Sequence, residues 1–378
     1  MKVRILSFTA GEGHNQVARA LQEYYEQQGD DVAVIDVIGS ASKIIKNLVN
    51  DIYNFTVNYA PRIYKYWYEM EDKKTYESDA VTIRKMTQSL ITSDEIKSLV
   101  QEKPDVIIAT QSYAAAILRD LKVKYKMDAI CVGIVTDFTV HPYWEEAGGL
   151  DYYVVPDKAV AFNMARKNLD VSRMLPFGIP IREVFSESVS KEEAREKLGY
   201  DPQKKRVLLM SGSMAHVNVV DVAQSIDKLP QDFELTVLLD KKQTHRDELL
   251  ALDTKHKMDI QGFVSDIGLY YDASDLVITK PGGLTTSELM AKEKPMIFLR
   301  PIPGQEQRNV ECLMNQHLAF HATRTFPIEQ LLGMLLDDPS LYESTSERIK
   351  RRVPKHSTKR LVEFLQEKHE QRKGMQQI

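Results

Sequence analysis

Apolar positions along this chain fall into two kinds of run. VRILSF (3–8), VAVID (32–36), DVIIAT (105–110), AICVGIVT (129–136) and DYYVVP (151–156) are short, nearly unbroken and rich in β-branched residues. They predict strands, and their lack of polar alternation predicts parallel strands covered on both faces. Between several of them apolar residues recur at helical spacing, as in NQVARALQEYYEQQG (15–29), which Gly29 closes. Strand and helix in alternation form a βαβ series and predict a parallel sheet. After PFGIPIREVFSESVS (176–190) the pattern starts again. KKRVLLMSG (204–212), FELTVLLD (233–240), SDLVITK (274–280) and PMIFLRP (295–301) are its predicted strands. Beyond about residue 345 the chain becomes helical and strongly charged, and Pro354 predicts a break there or an offset between two helices. The expected organisation is an α/β domain over 1–175, a linker over 176–190, a second α/β domain over 191–345 and a charged helix or tail over 346–378. That tail reads first as a solvated face with a frayed end, and second as a basic surface for anionic lipid.

Bulk properties narrow the class. A chain of 378 residues suits two domains of ordinary size. Its 43% hydrophobic and 28% charged residues are a soluble globular composition. A formal net charge of -4 argues against a general nucleic-acid binder, which needs a dominant basic field. It leaves room for a local basic patch. The two cysteines, Cys131 and Cys312, lie in apolar surroundings and read as buried reduced thiols, as in a cytosolic protein. The apolar run at the N-terminus is too short for a signal peptide. No stretch approaches the ~20 apolar residues of a transmembrane helix, so any membrane contact is expected to be peripheral.

The best-formed site signal is ITKPGGLTTSELMAKEKPMIFLRPIPGQEQRNV (278–310). A strand ends at Lys280, Pro281, Gly282 and Gly283 make the turn, and Thr285, Thr286 and Ser287 open a helix. Free N–H groups at a helix N-terminus, with the dipole behind them, bind phosphate. Glycines let the backbone approach an anion, and the hydroxyls add donors. Glu288 stands one turn in, where a carboxylate accepts from ribose hydroxyls. PGQEQRN (303–309) follows the next strand at the same sheet edge, with amide and carboxylate groups suited to sugar hydroxyls. Taken alone, KPGG with its hydroxyls also fits a plain strand–turn–helix with N-caps. Its pairing with PxPGQExxN is what points to a nucleotide-sugar site.

The order GEGHNQVARAL (11–21), KPDVIIAT (103–110), VTDFTVHPYW (135–144), FGIPIR (177–182), ITKPGGLTTSE (278–288) and PIPGQEQRN (301–309) resembles the bacterial processive diacylglycerol glucosyltransferases and the plant monogalactosyldiacylglycerol synthases. These are members of glycosyltransferase family 28. The resemblance implies a GT-B fold, in which two Rossmann-like, doubly wound parallel-sheet domains face each other across a cleft. It implies inverting transfer of a hexose from a UDP-sugar (UDP-glucose or UDP-galactose) to diacylglycerol, with no bound metal and no cofactor. The donor would sit mainly in the second domain and the acceptor in the first. Glu288 would hold the ribose, while Gly282, Gly283, Thr285 and Thr286 would face the diphosphate. Gln305, Glu306 and Asn309 would hold the sugar, and the backbone at Phe263 and Val264 would face the uracil. The chain departs from relatives at SGSMAHVN (211–218), which lacks a further glycine. It also departs at Asp240, Lys241 and Lys242, and at Glu293–Lys294, where a glycine is usual.

An inverting transfer needs a base for the acceptor hydroxyl and positive ends or donors for the departing diphosphate. His14 follows Gly13 at the start of the first helix, where a helix N-terminus keeps an imidazole neutral, as a base requires. Gly13 would lie on the acceptor side. Asp137 ends the fourth strand and His141 follows in the same loop, and either is a candidate base, partner or acceptor ligand. The same GEGH stretch starts a dinucleotide GxGxxG pattern through Gly11 and Gly13, but Gln16 occupies the third glycine position and Asp36 is weak support. Asp272 and Asp275 in DASD read as caps rather than a metal pair. SKIIKNLVNDIYNFTVNYAPRIYKYWYEM (42–70) is dense in aromatics and carries Lys43, Lys46, Arg62 and Lys65. It suits either an anionic membrane interface or helices packed on the sheet. The expected partners are therefore a UDP-sugar, a lipid acceptor and an anionic membrane surface. The expected location is cytoplasmic, peripheral on the inner face of the cell membrane. The competing readings are transfer to another lipid such as a polyprenyl-linked precursor, a UDP-sugar epimerase, and a non-catalytic nucleotide-sugar sensor.

Overall fold

The computed structural model describes residues 1–8, 12–37, 94–211 and 218–376. The aromatic and basic segment 42–70, Gly11 and most of the departing loop 211–218 fall outside the described residues. The chain divides into two units. The first comprises 1–183, 303–305 and 354–378, and the second comprises 184–302 and 306–353.

In the first unit, β1 (Lys2–Ser7), β2 (Asp31–Asp36), β3 (Val106–Ala109), β4 (Ile130–Ile134), β5 (Tyr152–Val154) and β6 (Met174–Leu175) form one sheet in the order β2-β1-β3-β4-β5-β6. Every pairing is parallel. β3 and β4 are buried along their whole length, which is why their sequences show no alternation. The core layer beneath the helix Ser112–Tyr125 joins Leu6, Ile107, Ala109 and Cys131 to Ala114, Ile117, Leu118 and Leu121. The helix Glu12–Gln27 buries Val17, Ala18, Leu21 and Tyr25, a single 3.6-period stripe. It ends at Gly29, whose φ of +79° a side chain would resist.

The second unit repeats the plan. β7 (Lys205–Met210), β8 (Phe233–Leu238), β9 (Met258–Gln261), β10 (Leu276–Thr279), β11 (Met296–Phe298) and β12 (Phe320–His321) pair in parallel in the order β12-β11-β10-β7-β8-β9. The order reverses between β7 and β10, the topological switch point at which open α/β sheets bind ligands. β6, β9 and β12 carry no strand signal in the sequence. They are only two to four residues long and lie at or beside sheet edges, where a neighbour's ladder supplies the order.

The charged C-terminal end differs from the solvated, frayed tail expected. The chain breaks around Pro354, between the helices Pro339–Arg352 and Ser357–Gln376. The second of these buries Leu361, Val362 and Leu365 completely. Burial of three such side chains contributes on the order of 5 kcal/mol, more than fraying would gain. Ser357 Oγ donates to the Ile179 carbonyl at 2.9 Å and Thr358 Oγ1 to that of Ile181 at 2.6 Å. Gly178 of the FGIPIR stretch has φ +91°, and a Cβ there would meet Ser357 Cβ at 3.2 Å, so the turn requires glycine.

Two other expectations change. Asp272 and Asp275 are buried ion-pair partners rather than caps. Asp272 meets Lys292 at 2.7 Å, and Asp275 meets Lys191 at 2.6 Å and Arg195 at 2.7 Å. The carboxylates anchor the segment after residue 186 to the sheet edge remote from the glycine turns. Cys131 is buried, with its thiol pushed by burial up to about 12, whereas Cys312 is only half-buried and accepts from Gln316 Nε2 at 3.0 Å.

Candidate functional site

The glycine turn after β10 leads into the helix Gly283–Ala291. Gly282 is its N-cap and no side chain caps it. The first-turn N–H groups therefore have no partner within the helix. Thr286 lies just inside and is fully buried, and its Oγ1 has no hydrogen-bond partner among the described residues. An unmade buried hydroxyl bond costs about 1–3 kcal/mol, so an acceptor at this helix end is favoured. Thr285 is half-buried on the same turn, while Ser287 Oγ donates back to the Gly283 carbonyl at 2.8 Å. Glu288, one turn in, accepts from the Tyr271 hydroxyl at 3.3 Å. Burial, with the Glu288 charge beside it, pushes that phenol well above its ordinary range, so Tyr271 remains a donor and fixes the carboxylate.

The PGQEQRN stretch folds against this turn. The helix Gln305–Asn315 follows β11, and Glu306 near its start forms an ion pair with Lys280 at 2.8 Å. The second oxygen of Glu306 accepts from the Ile302 N–H at 2.8 Å. Asn309 Nδ2 donates to the Pro281 carbonyl at 3.1 Å. Asn309 is fully buried and holds the glycine turn through this bond. Gln305 groups with the first unit, where its amide donates to Asp137. Phe263, past the end of β9, is 64% exposed, with Lys241 Nζ 4.8 Å over its ring, and Val264 is half-buried beside it. Lys280 and Tyr271 escaped the sequence reading. Lys280 stood in the motif itself but read as a strand end, and Tyr271 carries no local signal.

In the first unit, the C-terminal ends of β1, β3 and β4 bring His14, Thr110 and Thr136 together. His14 Nδ1 lies 3.1 Å from the Thr110 carbonyl and 2.9 Å from Thr136 Oγ1. A carbonyl oxygen only accepts, so Nδ1 carries the proton and Nε2 keeps its lone pair. Desolvation lowers the His14 pKa from 6.5 to about 4, although the Thr110 carbonyl opposes this. The imidazole is thus neutral at pH 7, with a basic nitrogen held in one orientation. Among the described residues, a Cβ on Gly13 would meet nothing within 4 Å.

His141 has the opposite tautomer. Its Nδ1 accepts from the Tyr143 N–H at 3.2 Å, so in the neutral ring Nε2 bears the hydrogen and can only donate. Its ring packs on Tyr143 at 4.8 Å, and Tyr143 packs on Tyr113 at 5.0 Å. Asp137 is buried and bound to Gln305. The three acceptor-side candidates therefore have different chemistry: His14 is set to accept a proton, His141 to donate a hydrogen bond, and Asp137 to accept one.

Comparison with known proteins follows this division. Residues 14–181 match the family described as monogalactosyldiacylglycerol (MGDG) synthase, and residues 206–358 match the glycosyltransferase family 28 C-terminal domain. A processive diacylglycerol beta-glucosyltransferase of Bacillus cereus (strain B4264) is 30% identical over 317 residues, 82% of this chain and 78% of that protein. Among solved structures, MurG of Acinetobacter baumannii superposes with a TM-score of 0.63 at 15% identity, covering 97% of this chain and 100% of that one. Anabaena Alr3699/HepE in complex with UDP-glucose does so with a TM-score of 0.54 at 13% identity, covering 97% and 100%. At these identities the structural likeness is one of fold.

Proposed function

This chain belongs to the diacylglycerol glycosyltransferases of glycosyltransferase family 28 and is a glycosyltransferase of GT-B fold; from that premise we propose that it moves glucose from UDP-glucose to diacylglycerol with inversion, making a β-linked membrane glycolipid. The observation that carries the donor half is the uncapped N-terminus of the helix Gly283–Ala291, with the unpartnered Thr286 hydroxyl inside it. Such an end stabilises a diphosphate in the ground state and more strongly as it departs with full charge. Glu288, oriented by Tyr271, is then the ribose acceptor. Phe263 and Val264 face the base, and Gln305 and Glu306 lie toward the sugar. The choice of glucose draws on the name of the Bacillus cereus relative and on the UDP-glucose held by the Anabaena neighbour.

On the acceptor side, His14 Nε2 takes the proton of the lipid hydroxyl as its oxygen attacks the anomeric carbon, and UDP leaves from the opposite face. A base must be unprotonated at pH 7, and the desolvated imidazole meets that condition. His141, as a donor, suits an oxygen of the acceptor. The positive helix end and the fixed donors supply the charge stabilisation locally, so the reaction is proposed to need no metal or cofactor. No helix of the described residues is long and apolar enough to cross a membrane. Peripheral attachment to the inner, cytoplasmic membrane face is part of the proposal, since diacylglycerol must be drawn from a bilayer.

The test is incubation with UDP-glucose, UDP-galactose and UDP-N-acetylglucosamine and diacylglycerol-containing vesicles, with and without a chelator, with products read by mass spectrometry. Hexosyl-diacylglycerol from UDP-glucose, undiminished by the chelator, is expected. Lipid product from another donor alone would replace the glucose assignment, and product from polyprenyl phosphate lipids alone would replace the acceptor.

A further inference from the structure

The Lys280–Glu306 pair places a neutralised cation at the lip of the anion site. Lys280 opens the strand-to-helix turn, and its Cε lies 4.0 Å from the point where a Cβ on Gly282 would stand. Gly282 is the residue that caps the bare helix end. The ammonium is 2.8 Å from Glu306 Oε1, with the lysine side chain 22% exposed and the glutamate 10%. The other glutamate oxygen is fixed by the Ile302 N–H at 2.8 Å, so the carboxylate cannot follow if the lysine moves away. The lysine itself is a point charge on a flexible four-carbon stem. A diphosphate at the helix end carries more charge than one carboxylate, in a setting of low dielectric, and competes for the ammonium.

We propose that Lys280 is the cation that engages the diphosphate of the sugar donor. On donor binding it exchanges Glu306 for a phosphate oxygen, and the exchange frees Glu306 Oε1 to accept a hydrogen bond from a sugar hydroxyl. This rests on the reading of a nucleoside diphosphate at the helix end, and it adds a coupling that reading lacks. The carboxylate becomes available to the sugar only when a diphosphate has drawn off its lysine, so a free hexose meets a closed site. When UDP leaves, Glu306 recaptures Lys280 and the site resets. No covalent bond changes in the exchange.

Calorimetry with uridine, UDP and UDP-glucose on the full chain tests this, in the wild type and in Lys280→Met, Glu306→Gln and the double variant. Lys280→Met is expected to weaken UDP by about 10–100-fold, the size of a lost charged hydrogen bond, and to leave uridine unchanged. Glu306→Gln is expected to bind UDP at least as tightly as wild type while losing the added affinity of UDP-glucose over UDP. The double variant leaves no unpaired buried charge, so a thermal melt should show it folded, and it is expected to match Lys280→Met for UDP. A folded double variant that binds UDP like wild type overturns the proposal. So does a Glu306→Gln variant that weakens uridine and UDP equally, since the pair would then only be structural. A wild type that binds uridine and UDP equally removes Lys280 as a diphosphate ligand, and one that binds no nucleotide removes the donor reading itself.

Discussion

His14 offers a prediction in which activity and stability titrate together. Desolvation moves its pKa from 6.5 to about 4. A displacement of that size corresponds to about 3 kcal/mol. The sign follows from proton linkage. Between about pH 4 and 6.5 the unfolded chain binds a proton at this histidine that the folded chain excludes. Native stability at His14 is therefore fully present above pH 6.5 and is lost as pH falls through that window. His14→Asn is the useful comparison, because its side-chain amide keeps an N–H for Thr110 but cannot titrate or accept a proton. Denaturant unfolding from pH 4 to 8 should show wild type losing up to about 3 kcal/mol more than His14→Asn on acidification. Transfer rates should stay level down to about pH 5 and fall only as the pH nears 4, since the proposed base is the neutral ring. His14→Asn should lose turnover by at least about a thousandfold while still binding UDP. An acid limb near pH 6.5, together with parallel stability curves for the two proteins, would refute the desolvated-base argument.

Glu288→Ala should weaken UDP about tenfold in calorimetry and abolish the difference between UDP and its ribose-deoxygenated analogue, because the carboxylate that Tyr271 positions is gone. Asp275→Ala should lower stability by about 3–5 kcal/mol in urea unfolding, because it strands buried Arg195 and removes the acceptor for the Arg206 N–H. Glu293→Gly should raise stability by about 0.5–1 kcal/mol. Glu293 has φ +57°, and relief of about 1–2 kcal/mol of left-handed strain exceeds the entropy that glycine costs. A lower melting temperature for that variant would count against the strain.

The left-handed backbone at Glu293 is visible only as a dihedral angle. The neighbouring Lys294 is buried, with Nζ donating to the Asp272 and Ser274 carbonyls, and burial pulls its pKa down to about 8. Nothing in the string AKEKP (291–295) distinguishes this lysine from a solvated one. The two acceptor-side histidines make the same point. One opens the helix after β1 and the other lies in the loop after β4, and sequence alone leaves their roles open. The Thr110 carbonyl against one Nδ1 and the Tyr143 N–H against the other assign opposite tautomers.

The amino-acid sequence by itself determined the two parallel sheets, most of their strands, the helix that Gly29 closes, the break near Pro354 and the glycine turn at a strand end. Each of these depends on side-chain periodicity or on the backbone preferences of a few adjacent residues, which are local quantities. Tertiary structure alone decided which groups around those turns are already engaged. Asn309 is committed to Pro281, Glu306 to Lys280, and the C-terminal helix to the first unit. Those facts depend on contacts of about 3 Å between residues well separated in the chain, as Asn309 is from Pro281 and, much farther, Ser357 is from Ile179. Only the packing of the finished sheets sets such distances.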